Sequence, residues 1–147
     1  MNIAVMAPHV HGNGITTVAA LIAAELASRN KSVCLSHVRS ISESFFPYFN
    51  LKETENLNPK MLTALVKQGE MDKKNIKDYC RKITDSLDLF SLDAPIEEGV
   101  LTEEDVSSVA KFILTSDTYN YVIYDVDQNN LEDPCVKNVI DDADCVV

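Results

Sequence analysis

The stretch MAPHVHGNGITT, which ends at Thr17, contains the residue types of a loop that holds an anion. Two of the chain's four glycines, Gly12 and Gly14, lie within it, and Thr16 and Thr17 follow. Glycine lets main-chain N–H groups turn toward an anion, and the positive end of a following helix points at the same place. A tight strand-to-helix turn with nothing bound accounts for the same residues, so the loop alone leaves both interpretations open.

A second candidate for phosphate chemistry is Asp125, near the end of the apolar run YNYVIYDVD. An aspartate at the carboxyl end of a buried strand is where P-loop proteins hold a magnesium ion. Thr16 is placed so that its hydroxyl reaches the same ion. The alternatives are that Asp125 is a turn residue ending the strand, and that Thr16 bonds to the backbone at the start of a helix.

The three histidines, His9, His11 and His37, all fall where the first two predicted strands meet this loop. Three interpretations are open. They are loop residues without a ligand, imidazoles that contact the anion in place of lysine, or part of a metal site with Asp125 nearby.

A βαβ unit must position these residues. NIAVMA (Asn2–Ala7) is a predicted buried strand, ITTVAALIAAELASRN has the spacing of a helix, and SVCLSHV (Ser32–Val38) is a second buried strand. Helices are further predicted over NPKMLTALVKQG, MDKKNIKDYCRKI, TEEDVSSVAKFILTS and the residues after Pro134, and strands over LDLFSL, YNYVIYDVD and DCVV, the last one buried. Alternating strands and helices predict a doubly wound, mostly parallel α/β sheet with helices on both faces.

The composition limits the partners. The 147 residues carry a net charge of -10, which disfavours non-specific binding to nucleic acid or to an anionic membrane. Between residues 60 and 82, seven basic and three acidic residues give a local charge of +4. Lys73, Lys77 and Arg81 lie four apart, on one face of a predicted helix, which is either a contact for an acidic partner or a solvated face. We expect no clear nucleic-acid face and no membrane segment.

The cysteines predict a compartment. Cys34, Cys80, Cys135 and Cys145 form no CxxC motif, and no signal peptide precedes them, so we expect reduced thiols in a cytoplasmic protein. The chain is expected to form one domain over residues 1–147. Because DDADCVV ends inside a predicted buried strand, we expect that domain to be the N-terminal part of a longer protein.

In the order of its elements, the chain resembles the MinD/ParA group of P-loop ATPases, which position or segregate cargo in bacteria. The resemblance covers the first strand, GNGITT, KSVCLSHVR, YNYVIYDVD and DDADCVV. It implies a P-loop NTPase-like fold, and it implies that the phosphate loop comprises His11, Gly12, Asn13, Gly14, Ile15, Thr16 and Thr17. It also implies that Thr16 and Asp125 are the residues associated with magnesium.

Three charged groups of the family pattern are absent. The family loop reads Lys-Gly-Gly-x-Gly-Lys-Thr-Thr, and its two lysines fall on Val10 and Ile15, with one family glycine on His11. The family aspartate that places the attacking water falls at about His37. A charged hydrogen bond contributes about 1.5–3 kcal/mol, so we expect ATP and magnesium to bind weakly. Removing a transition-state donor costs about 10²–10³ in rate, so hydrolysis is expected to be weak or absent.

The resemblance leaves three functions open. The first is a localisation or scaffold protein, for example for pilus or secretion machinery, as in the branch of TadZ or CpaE type that has such atypical loops. That branch commonly carries a receiver-like front domain, which is not found within these 147 residues. The others are an atypical ATPase of plasmid or conjugative-element partitioning, and an anion or metal sensor. We expect a homodimer or a protein partner, with FFPYF (Phe45–Phe49) either an interface anchor or a loop pinned to the core.

The resemblance also implies a topology that a structure can test. The strand over Asn2–Ala7 and the strand over Tyr121–Asp125 should be adjacent and parallel, because both are continuous apolar runs of the kind found in buried parallel sheets.

Overall fold

A computed structural model of the protein describes residues 1–6, 14–38, 59–70, 73–92, 103–126 and 134–147. The strands are β1 (Asn2–Val5), β2 (Val33–Val38), β3 (Arg81–Lys82), β4 (Leu87–Leu92), β5 (Tyr121–Asp125) and β6 (Cys145–Val146). The α-helices are α1 (Ile15–Ser28), α2 (Pro59–Gln68), α3 (Glu103–Leu114) and α4 (Pro134–Asp141), and a 3₁₀ helix covers Lys73–Tyr79.

The described strands form one sheet in the order β3-β4-β2-β5-β1-β6. Every neighbouring pair is parallel except β3 and β4. β1 pairs with β5 over the register from Asn2 opposite Val122 to Val5 opposite Asp125. The predicted adjacency of these two strands is therefore confirmed, as is the doubly wound, mostly parallel fold class.

The two faces of the sheet are covered by different helices. On one face, Ala19 and Ala23 of α1 pack against strand residues that include Val5 and Leu35. These alanines are fully buried, and their small side chains let α1 lie close to the strands. On the other face, α3 and α4 contribute Val109, Ile113, Val136 and Val139 to a second buried cluster. Helices cover both faces, as the sequence predicts.

Hydrogen bonds from tyrosines tie the sheet to its surroundings. The hydroxyl of Tyr124, buried on β5, donates to the carbonyl of Ala110 in α3 at 2.8 Å. The hydroxyl of Tyr119 donates to the Asp88 carboxylate on β4 at 3.0 Å. Burial is the main cause that raises the pKa of the Tyr119 hydroxyl above its ordinary value, so it remains a hydrogen-bond donor. The hydrogen bond of Tyr124, the residue before Asp125, thus anchors β5 to α3.

Gly69 ends α2, as the sequence predicts. Its φ is +67°, a left-handed conformation that glycine adopts without strain. The Gly69 N–H donates to the carbonyl of Val66 at 3.1 Å, and the Glu70 N–H donates to that of Leu65 at 2.9 Å. These bonds satisfy carbonyls that the helix end would otherwise leave without partners.

The predicted stripe of Lys73, Lys77 and Arg81 on one helix face is wrong. Residues 73–79 form a 3₁₀ helix, in which about three residues make a turn, so positions four apart do not align. Arg81 lies in β3, where it pairs antiparallel with Leu89. Lys77 is exposed, and its Nζ lies 5.5 Å from the centre of the Tyr119 ring. The basic residues of this segment therefore do not form a single helical surface.

The prediction that DDADCVV contains a buried strand is also wrong in part. β6 does form and pairs parallel with β1. Cys145 is only half-buried, however, and Val146 is 48% exposed, because β6 is the outer strand of the described sheet.

Of the helices in the described part of the chain, none combines the length and apolar character needed to cross a membrane.

The cysteines of the described residues, Cys34, Cys80 and Cys145, are free thiols. Cys34 is fully buried on β2, and Cys80 packs against the same core cluster. Hydrogen bonding to Cys80, together with burial, raises the pKa of the Cys34 thiol well above its ordinary value. Because the thiolate is the reactive form, Cys34 is an inert core residue.

We predict that Tyr124→Phe lowers the free energy of unfolding by about 0.5–1.5 kcal/mol, since it removes one buried hydrogen bond and leaves the ring in place. The matched control is Tyr121→Phe, a half-buried position on the same strand, which is expected to change stability by less than about 0.5 kcal/mol. Urea denaturation of both variants measures the difference, and equal losses would contradict the role of Tyr124 as an anchor.

Candidate functional site

The candidate site lies at the carboxyl edge of the parallel strands, where the ends of β2, β4 and β5 meet. His37 on β2 is in register with Asp125 on β5 and with Ser91 on β4. Two residues earlier on each strand, Leu35, Leu89 and Ile123 belong to the cluster beneath α1. Because side chains alternate along a strand, the three polar residues face the α1 side too. A row of buried polar side chains therefore crosses the sheet at this edge.

The start of α1 faces the same edge. Gly14 precedes the helix with φ +76°, a left-handed conformation that strains other residues. A side chain at position 14 would meet none of the described residues within 4 Å. Gly14 is the N-cap residue of α1, and within the described part of the chain no side chain forms a capping hydrogen bond there. A helix start with uncapped N–H groups attracts anions through its dipole.

Thr16 and Asp125, which the sequence places 109 residues apart, are in direct contact. The Thr16 hydroxyl donates to Asp125 Oδ2 at 2.7 Å. Thr16 is half-buried in the first turn of α1, whereas Asp125 is buried on β5. The structure thus brings together the two residues that the resemblance assigns to magnesium, and their metal-binding role stays a prediction.

His37 lies in the predicted strand SVCLSHV and next to Asp125, the neighbour that the metal-site interpretation gives to the histidines, and a metal ion there stays a prediction. It is a buried strand residue rather than a loop residue, and its Nδ1 lies 3.1 Å from Asp125 Oδ2. The side chain of His37 is 2% exposed and that of Asp125 is 0% exposed. Because a carboxylate only accepts hydrogen bonds, this contact places a proton on Nδ1. One carboxylate oxygen therefore accepts from both Thr16 and His37.

These residues match a magnesium site in kind only partly. Magnesium prefers oxygen ligands in an octahedral arrangement. The Thr16 hydroxyl and the Asp125 carboxylate are ligands of this kind. Asp125 Oδ2 is already engaged by two donors, however, and its side chain has no exposed surface. His37 adds an imidazole nitrogen, a ligand that suits transition metals better than magnesium. As the side chains stand, Oδ2 of Asp125 is not open to a magnesium ion.

The remaining predicted site residues divide into two groups. Ile15 is the first residue of α1 and packs against the apolar cluster beneath the helix. Thr17, two residues later, is exposed. His9, Val10, His11, Gly12 and Asn13 lie outside the described residues, and so does FFPYF. Within the described ranges, no three His, Cys, Asp or Glu side chains group as metal ligands. Ser91 is not among the predicted site residues, although its position near the end of the predicted strand LDLFSL places it at the same sheet edge.

Comparisons with known proteins identify the fold. No family model matches the sequence, and no curated protein sequence matches it. A ParA family ATPase from Chlorobium tepidum TLS aligns with 99% of this chain and 57% of its own, with a TM-score of 0.72 and 17% identity. The septum site-determining protein MinD complexed with Mg-ADP, from Pyrococcus horikoshii OT3, aligns with 99% and 56%, with a TM-score of 0.69 and 12% identity.

A plasmid partition protein from Borrelia burgdorferi is a further structural relative, with a TM-score of 0.59 and 21% identity over 99% of this chain and 62% of its own. The chain therefore spans less than two thirds of the structures that it matches. At these identities the likeness shows the fold, which is that of the MinD/ParA ATPases, and the P-loop NTPase-like architecture predicted from sequence is confirmed.

We predict that Thr16→Val lowers the free energy of unfolding by about 1–3 kcal/mol, because it removes a donor to a buried carboxylate while preserving side-chain shape. Thr17→Val makes the same chemical change at the neighbouring exposed residue and is expected to cost less than about 0.5 kcal/mol. Urea denaturation compares the two variants. If both are equally stable, the contact between Thr16 and Asp125 does not form in solution.

Proposed function

We propose that this chain is a MinD/ParA-like domain that binds phosphate groups weakly, hydrolyses ATP weakly or not at all, and works as a localisation or scaffold factor through a protein partner. Pilus or secretion machinery is the kind of assembly that such a factor positions. The domain binds phosphate through backbone N–H donors at the start of α1. It acts by contacting a protein partner rather than by releasing a reaction product.

One observation carries the proposal: a glycine in the left-handed conformation precedes α1 at the carboxyl edge of the sheet, and the sequence has no lysine beside it. Gly14 has the left-handed conformation, the start of α1 is uncapped, and Thr16 contacts Asp125. Backbone N–H groups and the helix dipole do not depend on side-chain identity. The Pyrococcus horikoshii relative contains Mg-ADP, which supports a nucleotide phosphate as the anion.

The residue at the position of the phosphate-holding lysine supports weak binding. Ile15 packs against the apolar cluster beneath α1, so it contributes no charge to the start of the helix. The sequence has Val10 at the other lysine position. Without a cation to stabilise charge on a transferred phosphoryl group, hydrolysis loses more than binding does, because the transition state depends most on those charges.

The outer surface of α1 supports a protein partner, which includes a second copy of the chain. From Ile15 to Ala24 the helix carries no charged residue, although 24% of the chain is charged. Val18 is 41% exposed and Leu21 is 64% exposed on this stretch. An uncharged, partly apolar surface avoids the repulsion that a net charge of -10 imposes between two copies.

A second candidate function is an atypical ATPase of plasmid or conjugative-element partitioning. The structural likeness to a plasmid partition protein favours it. The acidic composition and the division of the basic segment between a 3₁₀ helix and a strand weigh against it, because DNA binding requires a basic surface.

We predict that the purified chain shows no ATP hydrolysis above background with magnesium present. The reason is the absence of lysine at positions 10 and 15 and of aspartate at position 37. A coupled phosphate-release assay tests this, with Asp125→Ala as the control for contaminating enzymes. Steady turnover that disappears in Asp125→Ala would contradict the proposal and favour the partitioning ATPase.

We predict that Ile15→Lys tightens the binding of ATP or pyrophosphate by roughly tenfold to a hundredfold, because one charged hydrogen bond contributes about 1.5–3 kcal/mol. Val18→Lys adds the same charge at an exposed position of the same helix and is the matched control. Calorimetric titration of the wild type and both variants measures the affinities. Equal gains in the two variants would show a general charge effect, and no gain in either would remove the start of α1 as the anion site.

A further inference from the structure

The buried carboxylate of Asp125 requires compensation. Its side chain is fully enclosed on a strand next to the middle of the sheet, and an ionised carboxylate taken out of water is costly unless it is paired and hydrogen-bonded. Two donors meet the same oxygen, the Thr16 hydroxyl from α1 at 2.7 Å and His37 Nδ1 from β2 at 3.1 Å. The imidazole of His37 is itself buried, so the packing of the sheet fixes its position against Asp125.

We propose that His37 does for Asp125 what a divalent cation does at a magnesium-dependent phosphate site, so that this site keeps its geometry without a metal ion. His37 is thereby a positioning residue that fixes the Asp125 carboxylate, which in turn fixes Thr16 at the start of α1. The inference rests on the proposed function only for the assignment of Thr16 and Asp125 as the residues that would otherwise face the metal.

The strand register fixes the contact between His37 and Asp125 as part of the fold. His37 and Asp125 are Cα partners on neighbouring parallel strands, and both side chains point to the α1 side. The N–H donor therefore comes from the neighbouring strand of the sheet. A metal bound to Oδ2 at about 2.0–2.1 Å would have to displace at least one of these hydrogen bonds.

Removing the imidazole should open the place that a cation can then take. In His37→Ala the carboxylate keeps the Thr16 hydroxyl and loses the donor from β2, and the deleted ring leaves a cavity beside Oδ2. Manganese is the better probe alongside magnesium, because it accepts oxygen ligands with less demanding geometry. His37→Asn is the conservative variant, since an amide N–H can still donate to Asp125.

The experiment measures thermal unfolding of the 147-residue chain without nucleotide, in EDTA, in MgCl₂ and in MnCl₂. The wild type should have the same Tm in all three conditions within about 1 °C, since no metal is needed. His37→Ala should melt about 3–12 °C lower in EDTA. It should recover about 3–6 °C when the metal is tenfold above its Kd, whereas His37→Asn should lose less and show no recovery.

Two controls isolate the carboxylate. Ser36→Ala changes the neighbouring buried residue of β2, which faces the opposite side of the sheet, and should show no response to metal. His37→Ala combined with Asp125→Asn should also show none, because the anionic ligand is gone. If His37→Ala folds only when metal is added, the inference is supported in a stronger form, and if it stays unfolded with metal, the inference is overturned.

Either of two results overturns the inference. One is a wild type that magnesium or manganese stabilises as much as it stabilises His37→Ala, and the other is a His37→Ala variant that no metal restores. The proposed function fails separately, in the calorimetric titrations with ATP or pyrophosphate. A chain that binds neither ligand, but whose His37→Ala variant recovers with manganese, would retain the role of His37 and lose the nucleotide site.

Discussion

The enclosed carboxylate of Asp125 is the constraint on which the rest of the site depends. A charge on a buried strand of a sheet must be surrounded by donors, and the available donors fix the positions of the elements that carry them. Thr16 reaches it only if the first turn of α1 lies over the end of β5, and His37 reaches it only if β2 pairs beside β5 in the observed register. One acidic group thus couples a helix start to two strand ends.

The packing beneath α1 lets that coupling form. Ala19 and Ala23 are fully buried against the strands, and their size sets how closely the helix axis approaches the sheet. A larger side chain at either position would push the helix outward and lengthen the bond from Thr16 to Asp125. On the other side of β5, the hydroxyl of Tyr124 donates to the carbonyl of Ala110 in α3, so the residue next to Asp125 cannot shift freely either. Core packing and site geometry are therefore one problem in this protein.

The sequence predicts the fold better than it predicts the site, for physical reasons that individual residues illustrate. Continuous apolar runs such as the one around Ile123 predict buried parallel strands, because periodicity is a local property. The sequence relates Thr16 to Asp125 only through a shared magnesium ion, and it relates the histidines to Asp125 only as one of three interpretations. It predicts neither direct hydrogen bond, because strand register is set by long-range pairing. Arg81 was placed on a helix because charge spacing does not distinguish an α-helix from a 3₁₀ helix followed by a strand.

Electrostatics relates the missing lysines to the added imidazole. A chain with a net charge of -10 repels phosphate at long range, and a helix dipole acts only within about its first turn. In a P-loop ATPase, lysine and magnesium offset this repulsion where the phosphate binds. In this chain Ile15 packs against the apolar cluster beneath α1, and His37 directs its N–H toward the protein's own carboxylate. Both side chains therefore stabilise the fold, which is consistent with the proposed function, a domain that acts through contact with a partner rather than through hydrolysis.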